Sequence, residues 1–153
     1  MMKNYLAVVA AGVLLFAGNA SAQEKKINRS DLPPAVEKTV AAQSAGATIR
    51  GFSEKENGQT LYEAEMTVNG HSKDVSMTAD GSVVEIEEQV ALDSLSPEVK
   101  AGLLAKAGKG KILKVESLTK KDKLVAYEAK IETDGKKSEI QVGPDGKPLD
   151  HEE

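Results

Sequence analysis

The chain has 153 residues, a net charge of −4, no cysteine and only 3% aromatic residues. An acidic balance gives no electrostatic drive toward nucleic acid, whose binding depends on Lys and Arg neutralising phosphates. The missing cysteine removes disulfides, thiolate nucleophiles and thiolate metal sites together, and so few aromatic rings leave no stacking platform for bases.

The first residues carry Lys3, an apolar run from Leu6 to Gly18, and then Ala20-Ser21-Ala22. A short basic start, a short apolar core and an Ala-x-Ala end describe a secretory signal, 1–22, cut after Ala22. The run is shorter than the roughly 18 apolar residues of a membrane-spanning helix. The expectation is a periplasmic or secreted protein with no stable membrane insertion after cleavage.

The rest reads as two copies of one unit, 23–91 and 92–153. "DLPPAVEKTV" at 31–40 answers to "SLSPEVKAGL" at 94–103, an offset of 63. From Tyr62 and Tyr127 onward the offset is 65, which places two extra residues in the loop of the second copy. Each unit opens with a helix. Pro34 and Pro97 suit a first turn, where no amide hydrogen bond is lost, and Ser96 suits an N-cap. Leu32, Val36 and Val40 recur at helical spacing, as do Leu95, Val99 and Leu103. Gly46 and Gly108 mark the helix ends. Gly102, inside the second helix, costs about 1 kcal/mol relative to alanine and marks it as the weaker one.

Strands follow. In "YEAEMTV" Tyr62, Ala64, Met66 and Val68 share one face, and Glu63, Glu65 and Thr67 the other; in "YEAKIET" Tyr127, Ala129, Ile131 and Thr133 oppose Glu128, Lys130 and Glu132. This alternation predicts antiparallel strands with one buried and one wet face. Asn69-Gly70 and Asp134-Gly135 are two-residue hairpin turns, which fold these strands back onto Val75/Met77 and Ile140/Val142. Turns at Asp80-Gly81 and Asp145-Gly146 lead to 83–90 in the first unit and to a short end at 148–149 in the second. The fold class is α+β: two tandem helix-plus-antiparallel-sheet repeats, whose sheets can join into one with both helices on the same face. Tyr62 and Tyr127 are expected to fill the space between helix and sheet. A unit of about 60 residues is marginal alone, so the two are expected to unfold together.

No catalytic set is assembled. His71 follows a turn and His151 lies near the end, where residues are usually mobile, and a useful metal site needs three or four fixed ligands. "AGKGK" at 107–111 lacks both the leading glycine and the Ser or Thr of a phosphate loop. The carboxylates of 83–93 lack a calcium-loop pattern and read as a strand with an acidic solvent edge that discourages pairing. No cofactor is called for. The candidate binding face is the polar side of the sheet: Glu63, Glu65, Thr67 and Asp74 from the first unit, with Ser72 and Ser76, and Glu128, Lys130, Glu132 and Glu139 from the second, with Lys137 and Gln141.

The order of proline-initiated helix, apolar strand, "YE" strand, glycine turn and "DG" turn resembles PepSY and PepSY-like domains. The resemblance rests on Leu32, Pro34, Val36, Tyr62, Glu63, Gly70, Asp80 and Gly81, and on Leu95, Pro97, Val99, Tyr127, Glu128, Gly135, Asp145 and Gly146. Gly58 has no partner in the second copy, which also stops soon after its "DG". The resemblance implies a non-catalytic exported module that binds or restrains peptidases. The tandem arrangement is also similar to the bacterial β-lactamase inhibitor proteins, in which two units form one curved sheet that grips an enzyme. The expected function is engagement of an envelope or secreted protein partner, with a small-ligand or metal-binding envelope protein, using a pocket between the units, as the alternative.

Overall fold

The structure, a computed structural model, describes residues 23–56 and 58–153; the signal read at 1–22 lies outside the described residues. In chain order the elements are β1 (Gln23–Ile27), α1 (Pro34–Gln43), β2 (Ala47–Glu56), β3 (Thr60–Val68), β4 (His71–Thr78), β5 (Val83–Val90), α2 (Pro97–Ala107), β6 (Lys111–Lys120), β7 (Lys123–Thr133) and β8 (Lys136–Val142). The strands form one eight-stranded antiparallel sheet, ordered as in the chain. Strand β1 precedes α1 as β5 precedes α2, and Ile27 opposite Phe52 answers to Val90 opposite Val115 at the offset of 63, so the structural repeat begins one strand before residue 92. Residues 148–149 form no strand, so the second unit contributes three.

The duplication is visible in the ladders. Tyr62 pairs with Met77 and Ala64 with Val75; at the same places Tyr127 pairs with Val142 and Ala129 with Ile140. Asn69 and Gly70 have φ of 50° and 84°, and Asp134 and Gly135 have 52° and 75°. Two successive positive φ values match the twist of a hairpin, which is why Asn and Asp precede Gly there. A bulge lies between Ile49 and Gly51 in β2, and another between Ile112 and Lys114 in β6. The two extra residues of the second copy are not in a longer loop. They lengthen β7, which has 11 residues against 9 in β3 and a further irregularity opposite Leu118/Thr119. The turn beyond β6 is the tighter one, with Lys121 and Asp122 at φ of 51° and 61°.

Both helices lie on one face, and the register requires it. Val75 pairs with Ile86 of β5, and Val90 of β5 pairs with Val115 of β6, so the apolar side continues across the junction. Val36 and Val40 of α1 meet Ala64, Met66, Val75 and Met77, whereas Val99, Leu103 and Ala107 of α2 meet Val115, Ala129, Ile131, Ile140 and Val142. These are two separate cores under one sheet. Tyr62 and Tyr127 each pack, half-buried, against their own core, in equivalent surroundings. Strand β5 is not a solvent edge: its second side pairs with β6 along six residue pairs. Its backbone groups find their partners in the other unit, so the acidic side chains at 85–88 cannot serve to block an edge.

Gly102 has a packing role. A Cβ there would lie 2.0 Å from the carbonyl oxygen of Gly146, so its absence lets α2 rest on the Asp145-Gly146 turn. Gly146, at φ 79°, in turn abuts the Glu98 carbonyl. In the first unit the corresponding helix position is Thr39, whose hydroxyl donates to the Gly81 carbonyl at 2.7 Å. The "DG" turns are thus the seats on which the helices dock. Ser96 caps α2 as expected, its Oγ accepting from the Val99 amide at 3.3 Å.

Candidate functional site

The face opposite the helices carries a row of acids set by the pairing register. Glu65 of β3 lies opposite Asp74 of β4, which lies opposite Glu87 of β5; Glu116 of β6 lies opposite Glu128 of β7. Like charges directly opposite one another destabilise a sheet, so the row needs counter-ions. Arg50, put out of register by the β2 bulge, reaches across to Asp74 at 2.7 Å and Glu65 at 3.3 Å. Lys55 pairs with Glu63. Lys114 donates to Glu116 Oε1 at 2.5 Å, where the Ser72 hydroxyl also donates at 3.2 Å, and Lys130 lies 3.5 Å from Glu139 and 3.7 Å from Glu116 Oε2.

Together these side chains line a groove of 540 Å³ that spans both units. Its bases are Arg50, Lys55, Lys114 and Lys130, and its carboxylates are Glu24, Glu63, Glu65, Asp74, Glu87, Glu128 and Glu139. Every lining residue is ionisable and acids outnumber bases, even before Glu116 in the floor is counted.

This face is less wet than simple alternation predicts. Glu63 is 8% exposed, Ser76 7%, Gln141 5% and Glu116 1%. Burial disfavours the charged form of a carboxyl group. It raises Glu63 against the opposing pull of Lys55, Asp74 against that of Arg50, and Glu128 against its hydrogen bond from Gln141. The largest shift is at Glu87, pushed up to about 8 by burial first and then by Glu85, Glu116, Glu128 and Glu63. Burial works against the charge on Lys130, but the surrounding carboxylates, Glu116 foremost, outweigh it and raise its pKa.

Six of the eight residues expected on the binding face, Glu63, Glu65, Asp74, Glu128, Lys130 and Glu139, line the groove. Thr67 and Glu132 share the face by register but lie outside the groove. Glu24, Arg50, Lys55, Lys114, Glu87 and Glu116 were missed. Glu87 is the plainest miss: the carboxylates of 83–93 read as solvated, yet this one turns into the groove. The available signal was parity, since Glu85, Glu87 and Gln89 alternate with Ile86 and Glu88 across the register. The bulge that aims Arg50 left no such signal.

Two sets of three carboxylates bring their oxygens within 4.8 Å of one another: Glu24 with Glu63 and Glu65, and Asp74 with Glu87 and Glu116. His71 and His151 are exposed and belong to neither. Residues 107–111 form a helix stop and a turn: Gly108 caps α2 at φ 57°, and Lys111 begins β6.

No family model and no curated protein matches this chain. Solved structures do match. A DUF2874 family protein from Bacteroides ovatus has a TM-score of 0.61 at 21% identity, covering 77% of this chain and 84% of that one. A provisionally periplasmic protein from Bacteroides eggerthii gives 0.63 at 19%, covering 77% and 86%. A BLIP-like protein from Bacteroides fragilis gives 0.56 at 19%, covering 75% and 81%. At these identities the likeness concerns the fold alone: this chain has the α+β, BLIP-like architecture of an open antiparallel sheet with two helices on one side.

Proposed function

We propose that this chain is an exported, non-catalytic binding protein of PepSY-like construction, whose polar sheet face engages a protein partner presenting basic side chains. The observation that supports it is the groove, which crosses both units and is lined by charged residues with carboxylates in excess. Such a lining offers no apolar anchor of the kind that holds small organic ligands. It does create a field that steers and orients a partner of opposite sign. The resemblance to PepSY modules and the likeness to a BLIP-like protein favour an envelope peptidase or similar hydrolase as that partner. Export agrees with the signal read at 1–22 and with the description of the Bacteroides eggerthii neighbour.

The test reverses charge where the fold tolerates it. Glu65 and Glu139 have side chains 23% and 56% exposed, whereas Glu63 is buried against Lys55 and its reversal would break the sheet. Glu65→Lys with Glu139→Lys is expected to weaken capture of the partner from an envelope extract by about tenfold or more, with an unchanged circular dichroism spectrum. Capture at the original level would remove the groove from this reading.

A further inference from the structure

The geometry points to a hard divalent-cation site in the floor of the groove, formed by Asp74, Glu87 and Glu116. Three carboxylates with oxygens within 4.8 Å of one another do not by themselves make a site. What distinguishes this set is its unused oxygens. Glu116 is 1% exposed, and its Oε2 has no hydrogen-bond partner among the described residues, with the Lys130 ammonium 3.7 Å away. A buried carboxylate oxygen left without a partner is costly. Glu87 makes neither a hydrogen bond nor an ion pair among the described residues, and Asp74 stands directly opposite it. Arg50 occupies only Oδ1 of Asp74, and Lys114 and Ser72 occupy only Oε1 of Glu116. Each carboxylate therefore keeps an oxygen to offer, and one bound cation would satisfy all three.

The chemistry of the donors selects the ion. Carboxylate oxygens without imidazole or thiolate suit hard cations rather than zinc or copper. Three acidic side chains of unequal length on three neighbouring strands make an irregular set. That suits Ca²⁺, which takes six to eight oxygens in flexible geometry, better than Mg²⁺, which keeps several waters in a strict octahedron. The other acidic set is weaker, because Glu63 is already paired with Lys55 and hydrogen-bonded by Ser76.

The experiment is calorimetric titration of the chelator-stripped full mature chain with CaCl2 and with MgCl2, followed by melting curves. Saturable Ca²⁺ binding at one site is expected, with a Kd of about 10⁻⁴–10⁻³ M as in extracellular modules, and a Tm that rises with Ca²⁺ concentration. Glu87→Gln should weaken binding at least about tenfold. It removes a carboxyl group that makes no direct hydrogen bond or ion pair among the described residues, so the variant should fold. Glu116→Gln should do the same, and Glu132→Gln, on the same face outside the groove, should not. Absence of both heat and melting shift at about 10 mM of either ion, or binding that survives Glu87→Gln, would overturn the assignment; so would binding lost only in Glu65→Gln. The inference stands apart from partner binding, since a failed capture experiment leaves the titration unaffected.

Discussion

Glu87 sits at the centre of the polar face, with Glu85, Glu116, Glu128 and Glu63 disfavouring its charge and burial doing so more. Its carboxyl group titrates near 8 in the folded chain, against 4.5 as the ordinary value. Folding therefore favours the protonated form, and the stability this lends is complete below about pH 4.5 and lost as pH rises through 8. The raised Glu63, Asp74 and Glu128 act in the same direction. The lowered groups, Glu37, Asp80, Asp93 and Asp145, act only below about pH 4.5. In metal-free buffer the protein is expected to melt higher at pH 5 than at pH 8. Glu87→Gln should flatten that slope and stabilise the protein at pH 8 by something on the order of 1–4 kcal/mol, as read from urea titrations at the two pH values. A wild-type stability that rises across this interval would contradict the placement of Glu87 in the groove.

At the scale of single elements, α2 shows why helix propensity alone misleads. By propensity, Gly102→Ala should stabilise a helix by about 1 kcal/mol. In the structure the new methyl group would lie 2.0 Å from the Gly146 carbonyl, and that oxygen belongs to a turn held by its own hydrogen bonds from Gly146 to Gly143 and from Gly143 to Lys147. Overpacking of this kind costs roughly 1–3 kcal/mol, so the variant should be destabilised, with a lower urea midpoint and an unchanged m-value. The corresponding place in α1 has no such wall, since Thr39 already carries a Cβ and a hydroxyl that donates to the Gly81 carbonyl. The two helices thus dock on equivalent turns by different contacts, one through a hydrogen bond and one through close approach.

For the whole molecule, the two cores share no buried residue, and the β5–β6 ladder joins them. A half of about 60 residues buries too little surface to be comfortably stable. Separating the halves would also expose the edge of β5 and strand its backbone groups. Calorimetry should therefore show one transition, with calorimetric and van't Hoff enthalpies equal. Two resolved transitions would mean that the halves fold independently and that the groove spanning them is not a rigid surface.

Much of this organisation was legible in the chain, because local chemistry dictates it. Turn residues with positive φ, prolines at helix starts, and strict alternation around Tyr62 and Tyr127 specify two α+β units, and the same alternation places Glu63, Glu65, Asp74, Glu128, Lys130 and Glu139 on one face. Only the tertiary structure decided that β5 and β6 pair, that β1 adds an eighth strand, and that a bulge turns Arg50 onto its acidic neighbours. These depend on which backbone edges meet across long separations in sequence, and no periodicity records that. Burial was decided at the same level: Glu116 alternates like any solvent-facing residue, yet it is covered because neighbouring strands from both units close around it. Alternation assigns a side chain to a face, but how much water that face retains depends on the curvature and packing of the whole sheet.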